Sequence, residues 1–205
     1  MALFEKKAEQ ETQKPNKLFE VYSLLHDLVY ILAVITLLFV FVVRLVRVDG
    51  PSMMPTLQDG DFLALQSNFI MGELKYGDII VARKTSFRDG EPIVKRVIAT
   101  AGQTVDIRYD SLGVATVYVD GQALNETYIN GEMYEQSYSS RTFPLTVDEG
   151  CIFVMGDNRN HSADSRHIDI GLIRTDQVLG KVLCILFPGA GKSGKRDLSR
   201  IGGVS

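Results

Sequence analysis

Hydrophobic positions form one long run near the start of the chain and many short runs after it. Residues 28–43 are sixteen consecutive positions without a charge, and extending the run back to Ser23 gives the roughly 20 residues that a membrane-spanning helix needs. The run is followed by Arg-Leu-Val-Arg at 44–47, not by the small residues of a signal-peptide cleavage site. We therefore predict an uncleaved transmembrane anchor over residues 23–43.

Basic residues on the two sides of this run indicate its orientation. Four lysines precede the run, and two arginines follow it directly. Because cytoplasmic flanks carry an excess of lysine and arginine, this bias favours a cytoplasmic N-terminus. We therefore expect residues 1–22 to form a cytoplasmic tail and the chain from residue 44 onward to lie outside the cytoplasm.

Short apolar runs, rich in β-branched and aromatic residues and separated by Gly, Asp and Asn, follow the anchor. Such runs are typical of β-strands, and Asp120-Gly121 has the composition of a tight hairpin turn. We therefore predict a mainly β domain over residues 44–188. The predicted strands lie within 61–66, 77–83, 93–100, 104–110, 114–121, 151–157 and 181–188.

The last segment, residues 189–205, is rich in glycine and polar residues and has no apolar period to bury. This composition is typical of a flexible tail. Its Gly-Ala-Gly-Lys-Ser sequence is similar to the end of a phosphate-binding loop, but Leu186 stands where that loop needs its first glycine. We therefore exclude nucleotide binding at this segment.

Charge and cysteine content narrow the classes of function. A formal net charge of −3 gives no basic field of the kind that dominates nucleic-acid binding, so no nucleic-acid partner is expected. Cys151 and Cys184 each lie inside an apolar run, which favours buried free thiols. A disulfide between them is the alternative, and the sequence leaves their redox state open.

Ser52 lies between a Gly-Pro pair and a Met-Met-Pro sequence, a few residues beyond the anchor. On local grounds it could be a turn serine, but as a nucleophile it would need a base elsewhere in the chain. His161 and His167 flank Asp164, which suggests a Ser-His-Asp triad. The same three residues could also suggest a metal site, but their spacing matches no familiar set of metal ligands. Lys95 is the other candidate base, because burial in its apolar strand run would lower the pKa of the amine and favour its neutral form. The alternative is an ordinary lysine whose stem packs on the sheet and whose amine reaches water.

Four segments, in order behind the anchor, resemble the conserved boxes of type I signal peptidases. They are Ser-Met-Met-Pro-Thr-Leu at 52–57, Gly-Asp-Ile-Ile-Val at 77–81, Lys-Arg-Val-Ile at 95–98 and the polar segment 156–166. The resemblance covers nearly the whole part that follows the anchor. It implies an antiparallel β-sheet catalytic domain behind a single transmembrane helix, and a serine endopeptidase that needs neither metal nor organic cofactor.

The resemblance also implies roles for individual residues. Ser52 would attack the peptide carbonyl to form an acyl-enzyme, and Lys95 would act as its general base. Ser162 would hydrogen-bond and orient the lysine amine. Two ion pairs would hold the surrounding loops in place, namely Asp157 with Arg96 and Asp164 with Arg166.

Some positions depart from the family pattern. Gly50 stands where some members offer a serine hydroxyl to the oxyanion, so the backbone N–H of Ser52 would be the main donor. Residues 99–103 read Ala-Thr-Ala-Gly-Gln where many members carry Gly-Leu-Pro-Gly-Asp. His161 stands where asparagine often precedes the serine at 162.

The function that the resemblance implies is removal of signal peptides from secretory preproteins with small residues before the cut. The enzyme would be a single-pass protein of the cell membrane, in contact with the lipid bilayer. A self-cleaving repressor of related chemistry would have a DNA-binding domain in place of the anchor. A catalytically dead homologue would be expected to lack the lysine, which is present here as Lys95.

Overall fold

The computed structural model describes residues 17–134, 141–191 and 194–204, and the chain divides into two compact units. The first unit contains most of helix α1 (Lys17–Phe41), whose sequence has no glycine or proline. Its segment Lys17–Phe39 is long and apolar enough to cross a membrane. A helix suits that environment because all its backbone hydrogen bonds are internal.

The second unit, from Phe41 onward, is built on two antiparallel β-sheets. The larger sheet has the strand order β1-β2-β12-β3-β4-β10-β11, and β13 pairs with β12. Its strands are β1 (Val43–Arg47), β2 (Phe62–Ser67), β3 (Ile79–Arg83), β4 (Pro92–Thr100), β10 (Cys151–Met155), β11 (Ile173–Arg174), β12 (Val178–Phe187) and β13 (Gly202–Gly203).

The smaller sheet has the order β7-β6-β5-β9, with β8 paired to β6. Its strands are β5 (Thr104–Tyr109), β6 (Val114–Val119), β7 (Gln122–Ala123), β8 (Met133–Tyr134) and β9 (Leu145–Thr146). Between β6 and β7, Asp120 and Gly121 have φ angles of 51° and 80°, as the predicted tight turn requires. Every predicted run contains a strand, so the prediction of a mainly β fold behind one apolar helix is confirmed.

The two faces of strand β4 pack into different parts of the core. Ile93 and Val97 belong to one buried cluster, whereas Val94 packs against a second cluster that includes Met53 and Leu57. Burial of an aliphatic side chain contributes about 1.5–3 kcal/mol, so these contacts fix the strand firmly in the sheet. Functional side chains on β4 are therefore carried by a rigid element.

Two parts of the structure were not expected from the pattern. Strand β1 begins at Val43, inside the predicted anchor, and pairs with β2 over its whole length. Within the predicted tail, Gly202 and Gly203 form a short strand against β12. The domain limits and the mobility of residues 189–205 stay predictions.

Cys151 and Cys184 are both free thiols. Both are partly exposed, so the expectation that they are buried is wrong.

Candidate active site

Ser52 lies on the loop that connects β1 to β2. The loop is closed at its base, where the Val48 N–H donates to the Asp61 carbonyl oxygen at 2.8 Å. Gly50 turns the chain with a left-handed φ of +86°, and its N–H donates to Asp59 Oδ1 at 2.9 Å. We call residues 48–61 the nucleophile loop.

Apolar side chains on either side of the serine anchor the nucleophile loop in the core. Met53 and Leu57 are 1% and 0% exposed and belong to the same cluster as residues of β2, β3 and β12. Ser52 itself stays partly exposed. The packing therefore holds the serine in place while leaving its hydroxyl accessible.

Lys95 reaches this serine from the middle of β4. Its side chain is buried, with 4% of the residue exposed, and Nζ lies 2.8 Å from Ser52 Oγ. The amine also donates to the Val94 carbonyl oxygen at 2.8 Å. Burial of an amine penalises its ammonium form, and the contact joins this amine to the serine hydroxyl.

The polar segment after β10 packs directly against the nucleophile loop. The Asn158 N–H donates to the Ser52 carbonyl oxygen at 3.0 Å, and the Asn158 side chain donates to the Pro51 carbonyl oxygen at 3.2 Å. At Gly156 a Cβ atom would lie 2.4 Å from the Ser52 carbonyl oxygen and 2.3 Å from Ser162 Oγ. Only glycine fits this contact, a requirement that the sequence analysis did not anticipate.

The backbone N–H of Ser52 is available to a substrate. Among the residues that the structure describes, no acceptor is bonded to this N–H. The Gly50 N–H is already used by Asp59. The Ser52 N–H is therefore left for a further acceptor, whereas the Gly50 N–H serves the shape of the loop.

Ser162 is buried beside this contact, at 2% exposure. Within the described part of the chain, its Oγ makes no hydrogen bond of good geometry, so the bond to the Lys95 amine is not formed, but the hydroxyl lies close enough to Asp164 to help lower the pKa of that carboxyl. Asp164 accepts from the Gly156 N–H at 3.0 Å and from Arg166 Nε at 2.8 Å. Burial opposes ionisation of Asp164, but the Arg166 charge and these hydrogen bonds outweigh it and hold the pKa of Asp164 below its usual value.

A second buried ion pair holds the start of the same segment. Arg96 donates to Asp157 through Nε and Nη2, each at 2.8 Å, and both side chains are almost fully buried. The hydroxyl of Thr56, in the nucleophile loop, donates a hydrogen bond to Asp157. The Arg96 guanidinium carbon lies over the Tyr128 ring, 4.0 Å from the ring centroid. The structure thus brings together both residue pairs for which the resemblance implies ion pairs.

A third buried pair was missed in the sequence. Arg159 Nη1 donates to Glu126 Oε2 at 2.7 Å, and Arg159 Nε donates to the Gly156 carbonyl oxygen at 3.1 Å. The pair ties the segment after β10 to the loop that follows β7. No local pattern marks Glu126, because its partner lies 33 residues away.

The two histidines differ from Lys95 in their positions. His161 is exposed and lines the same cleft as Ser52, while His167 packs its ring against Phe87 and accepts from the Asp169 N–H at 3.2 Å. Neither takes part in the hydrogen bond to Ser52 Oγ. Among the described residues, no group of three His, Cys, Asp or Glu side chains could hold a metal ion.

The cleft above Ser52 and Lys95 has a volume of about 550 Å³. It runs between the segments 46–52 and 91–95, so backbone from β1 and β4 borders it on two sides. Its lining includes apolar side chains of Val48, Phe87 and Ile93. An extended peptide has the shape to lie in this cleft with a carbonyl beside Ser52.

Comparisons with known proteins point to one family. The family profile described as "Signal peptidase, peptidase S26" matches residues 21–187. Signal peptidase I of Bacillus licheniformis is 35% identical over 190 residues, which cover 88% of this chain and 94% of the relative. Signal peptidase I T of Bacillus subtilis (strain 168) is 37% identical over 148 residues, covering 69% and 72%. A crystal structure of a signal peptidase I from Enterococcus faecalis V583 is 30% identical, covers 54% of this chain and 97% of its own, and has a TM-score of 0.41.

Proposed function

Because the chain belongs to the signal peptidase family, peptidase S26, we propose that it cleaves preproteins with Ser52 as nucleophile and Lys95 as general base. The observation that carries this proposal is the 2.8 Å contact between Lys95 Nζ and Ser52 Oγ at the floor of the cleft. Family membership supports secretory preproteins as the substrates. The dyad explains how the chain would cut them without another base.

The reaction begins when the neutral Lys95 amine takes the proton of the Ser52 hydroxyl as Oγ attacks the scissile carbonyl. The developing oxyanion accepts a hydrogen bond from the Ser52 N–H. Collapse of the tetrahedral intermediate breaks the peptide bond, and the Lys95 ammonium gives its proton to the departing amine of the mature protein. A water molecule, deprotonated by Lys95, then attacks the acyl-enzyme. The ester bond breaks, the signal peptide leaves with a new carboxylate, and the Lys95 ammonium returns its proton to Ser52 Oγ.

The substrate preference that we propose is for small residues, typically alanine, at the first and third positions before the cut. Side chains of an extended peptide alternate in direction, so these two positions would face the same wall of the cleft. Apolar side chains such as Val48 and Ile93 line that cleft. Larger substrate side chains would be excluded by contact with them.

Cleavage of a preprotein by the purified full chain in detergent tests this function. We expect one cut directly after the second alanine of an Ala-x-Ala site, identified by the mass of the mature product. A matched preprotein with phenylalanine at both alanine positions should stay intact. A wild-type enzyme that leaves the first substrate uncut, or that cuts both equally, would refute the proposal.

The chain is a single-pass membrane protein by its apolar helix and its family. We propose that residues 1–22 are cytoplasmic and that residues 44–205 lie outside, where a signal peptide presents its cut site. Protease added to intact protoplasts should then digest the catalytic domain while a cytoplasmic marker protein survives. Full protection of the domain would contradict both this orientation and the substrate class.

Ser162 is proposed to fix the Lys95 amine during the reaction. Among the described residues its buried Oγ makes no hydrogen bond of good geometry, and its weaker contact with Asp164 leaves it able to bond the amine. A lysine stem is flexible without such an anchor. We expect Ser162→Ala to lower kcat by roughly ten- to a thousandfold, with a smaller change in KM, measured on the purified enzyme.

The neighbouring Ser165 is a poor control for this substitution. Its buried Oγ accepts from the Val154 N–H at 2.9 Å, so Ser165→Ala would leave that strand N–H unpaired and lower stability. Ser111 is exposed and provides the matched control. Full activity of Ser162→Ala, or an equal loss in Ser111→Ala, would refute the role of Ser162.

A further inference from the structure

Residues near the end of the chain meet the nucleophile loop at a buried carboxylate. Asp61 closes the loop and is fully buried. Its Oδ2 accepts from the Gln58 N–H at 2.8 Å, and its Oδ1 accepts from the Gly189 N–H at 2.7 Å. The Arg200 guanidinium donates to both oxygens, at 3.0 Å and 2.7 Å. Arg200 therefore supplies the countercharge that a buried carboxylate needs.

Arg200 also touches the nucleophile loop directly. Its Nη2 lies 3.3 Å from the Thr56 carbonyl oxygen, four residues beyond Ser52 in the chain. Beyond it, Val204 packs against the apolar cluster that contains Met53 and Leu57. Segment 197–204 thus contacts the loop through charge and a hydrogen bond to its backbone, and it also packs on the apolar cluster to which Met53 and Leu57 belong.

The approach of this segment is too close for any side chain at position 189. A Cβ atom on Gly189 would lie 2.1 Å from the Asp59 carbonyl oxygen, at the turn that precedes Asp61. Gly189 and Arg200 are thus two separate contacts of the C-terminal segment with the base of the nucleophile loop. Between Arg200 and the end of the described chain, β13 pairs with Cys184 and Ile185 of β12, which fixes the segment to the main sheet.

We propose that residues 197–204 form a C-terminal clasp in which Arg200 is a positioning residue that keeps Ser52 within reach of Lys95. The inference rests on the proposed function, because it assigns the clasp to that same site. Loss of the guanidinium leaves Asp61 buried without its cation, and the base of the loop relaxes. A shift of about 1 Å in a reacting group is enough to slow chemistry strongly, while the cleft lining at 91–95, outside the loop, still binds the substrate.

The test compares Arg200→Gln with Arg174→Gln, a matched control whose arginine pairs with Asp176 on the exposed surface. Both are assayed as full chains in detergent, below the melting temperature of each variant, for kcat and KM. In protein labelled with ¹³C-methyl methionine, the signal of the buried Met53 reports changes in the conformation of the loop. Met133, which lies in a separate core cluster, is the internal reference. The Met53 signal is assigned by its loss in Met53→Leu.

We expect Arg200→Gln to lower kcat about tenfold with little change in KM and to shift the Met53 signal but not the Met133 signal. Arg174→Gln should change none of these. If Arg200→Gln does not fold, Arg200→Lys replaces it, with a loss of about threefold expected because lysine keeps the charge but not the fork.

Wild-type kcat in the folded variant, or an unmoved Met53 signal, would overturn the clasp. If the wild-type chain cuts no preprotein, the proposed function fails, whereas the Met53 signal still decides for or against the clasp.

Discussion

Substitution of Ser52 or Lys95 by alanine is expected to lower kcat for preprotein cleavage by about a thousandfold or more. Each variant removes one member of the pair that is joined at 2.8 Å, and the remaining member cannot activate or perform the attack. The fold should persist, because the core clusters contain neither side chain. Lys95→Met, which keeps the volume of the stem, separates loss of the amine from loss of packing. Product formation and thermal melting of each purified variant are the measurements.

His161→Ala and His167→Ala are the controls for this experiment. Neither histidine takes part in the hydrogen bond to Ser52 Oγ, so both variants should keep most of the wild-type kcat. A histidine variant as inactive as Lys95→Ala would show that the lysine mechanism is wrong. A Ser-His-Asp triad would then be the better account.

Gly156→Ala is expected to lower kcat by about a hundredfold or more, the second largest effect on activity. The added Cβ atom would lie 2.4 Å from the Ser52 carbonyl oxygen, which is backbone and cannot rotate away. Either the nucleophile loop or the segment after β10 must therefore move. The movement would take Ser52 Oγ out of hydrogen-bond distance of Lys95 Nζ, although both groups are still present.

Gly72→Ala is the matched control for this substitution. Gly72 has an ordinary φ, and an added Cβ atom would meet nothing within 4 Å. It should keep wild-type kcat and melting temperature. Wild-type activity in Gly156→Ala would mean that the contact between the two segments does not position the serine.

The strands of the main sheet were predictable because their apolar residues are local signals. β3, β4, β10 and β12 each coincide with a predicted run, and the Asp120-Gly121 turn follows from residues that tolerate positive φ. Strand β1 was not, since its first residue continues the apolar run of the anchor and its two arginines resemble a membrane flank. Pairing with β2, not composition, determines that it is a strand.

The proposed catalytic pair, Ser52 and Lys95, was predicted from the order of the four boxes, not from local pattern. Ser52 alone looks like a turn serine, and Lys95 alone looks like a surface lysine. Only the fold brings these residues together across 43 positions of sequence. Family resemblance therefore supplied a long-range contact that neither propensity nor periodicity contains.

Contacts without any local signal were missed. Arg200 lies in a glycine-rich, polar stretch, and composition therefore favoured a flexible tail, yet its ion pair with Asp61 places it against the nucleophile loop. Glu126 and Arg159 are likewise joined across 33 residues. Such pairs depend on where two distant backbones meet, which residue composition does not encode.

One departure from the family pattern is explained by its own hydrogen bonds. In the turn between β4 and β5, Gln103 Oε1 accepts from the Thr100 N–H at 2.9 Å, and Gly102 has a φ of +83°. The glutamine side chain closes the turn, and the glycine supplies its left-handed step. The sequence Ala-Thr-Ala-Gly-Gln at 99–103 therefore forms a closed turn far from Ser52 in the chain.

The pH dependence of kcat/KM for the wild-type enzyme, from about pH 6 to about pH 9, tests the central claim most directly. A lysine base acts only after it has lost its proton, so we expect the rate to rise with pH through a limb that reports deprotonation of Lys95 in the free enzyme. The assay uses one preprotein in detergent, with the stability of the enzyme checked at each pH. A rate that falls steadily over the same range would contradict the assignment of Lys95 as the base.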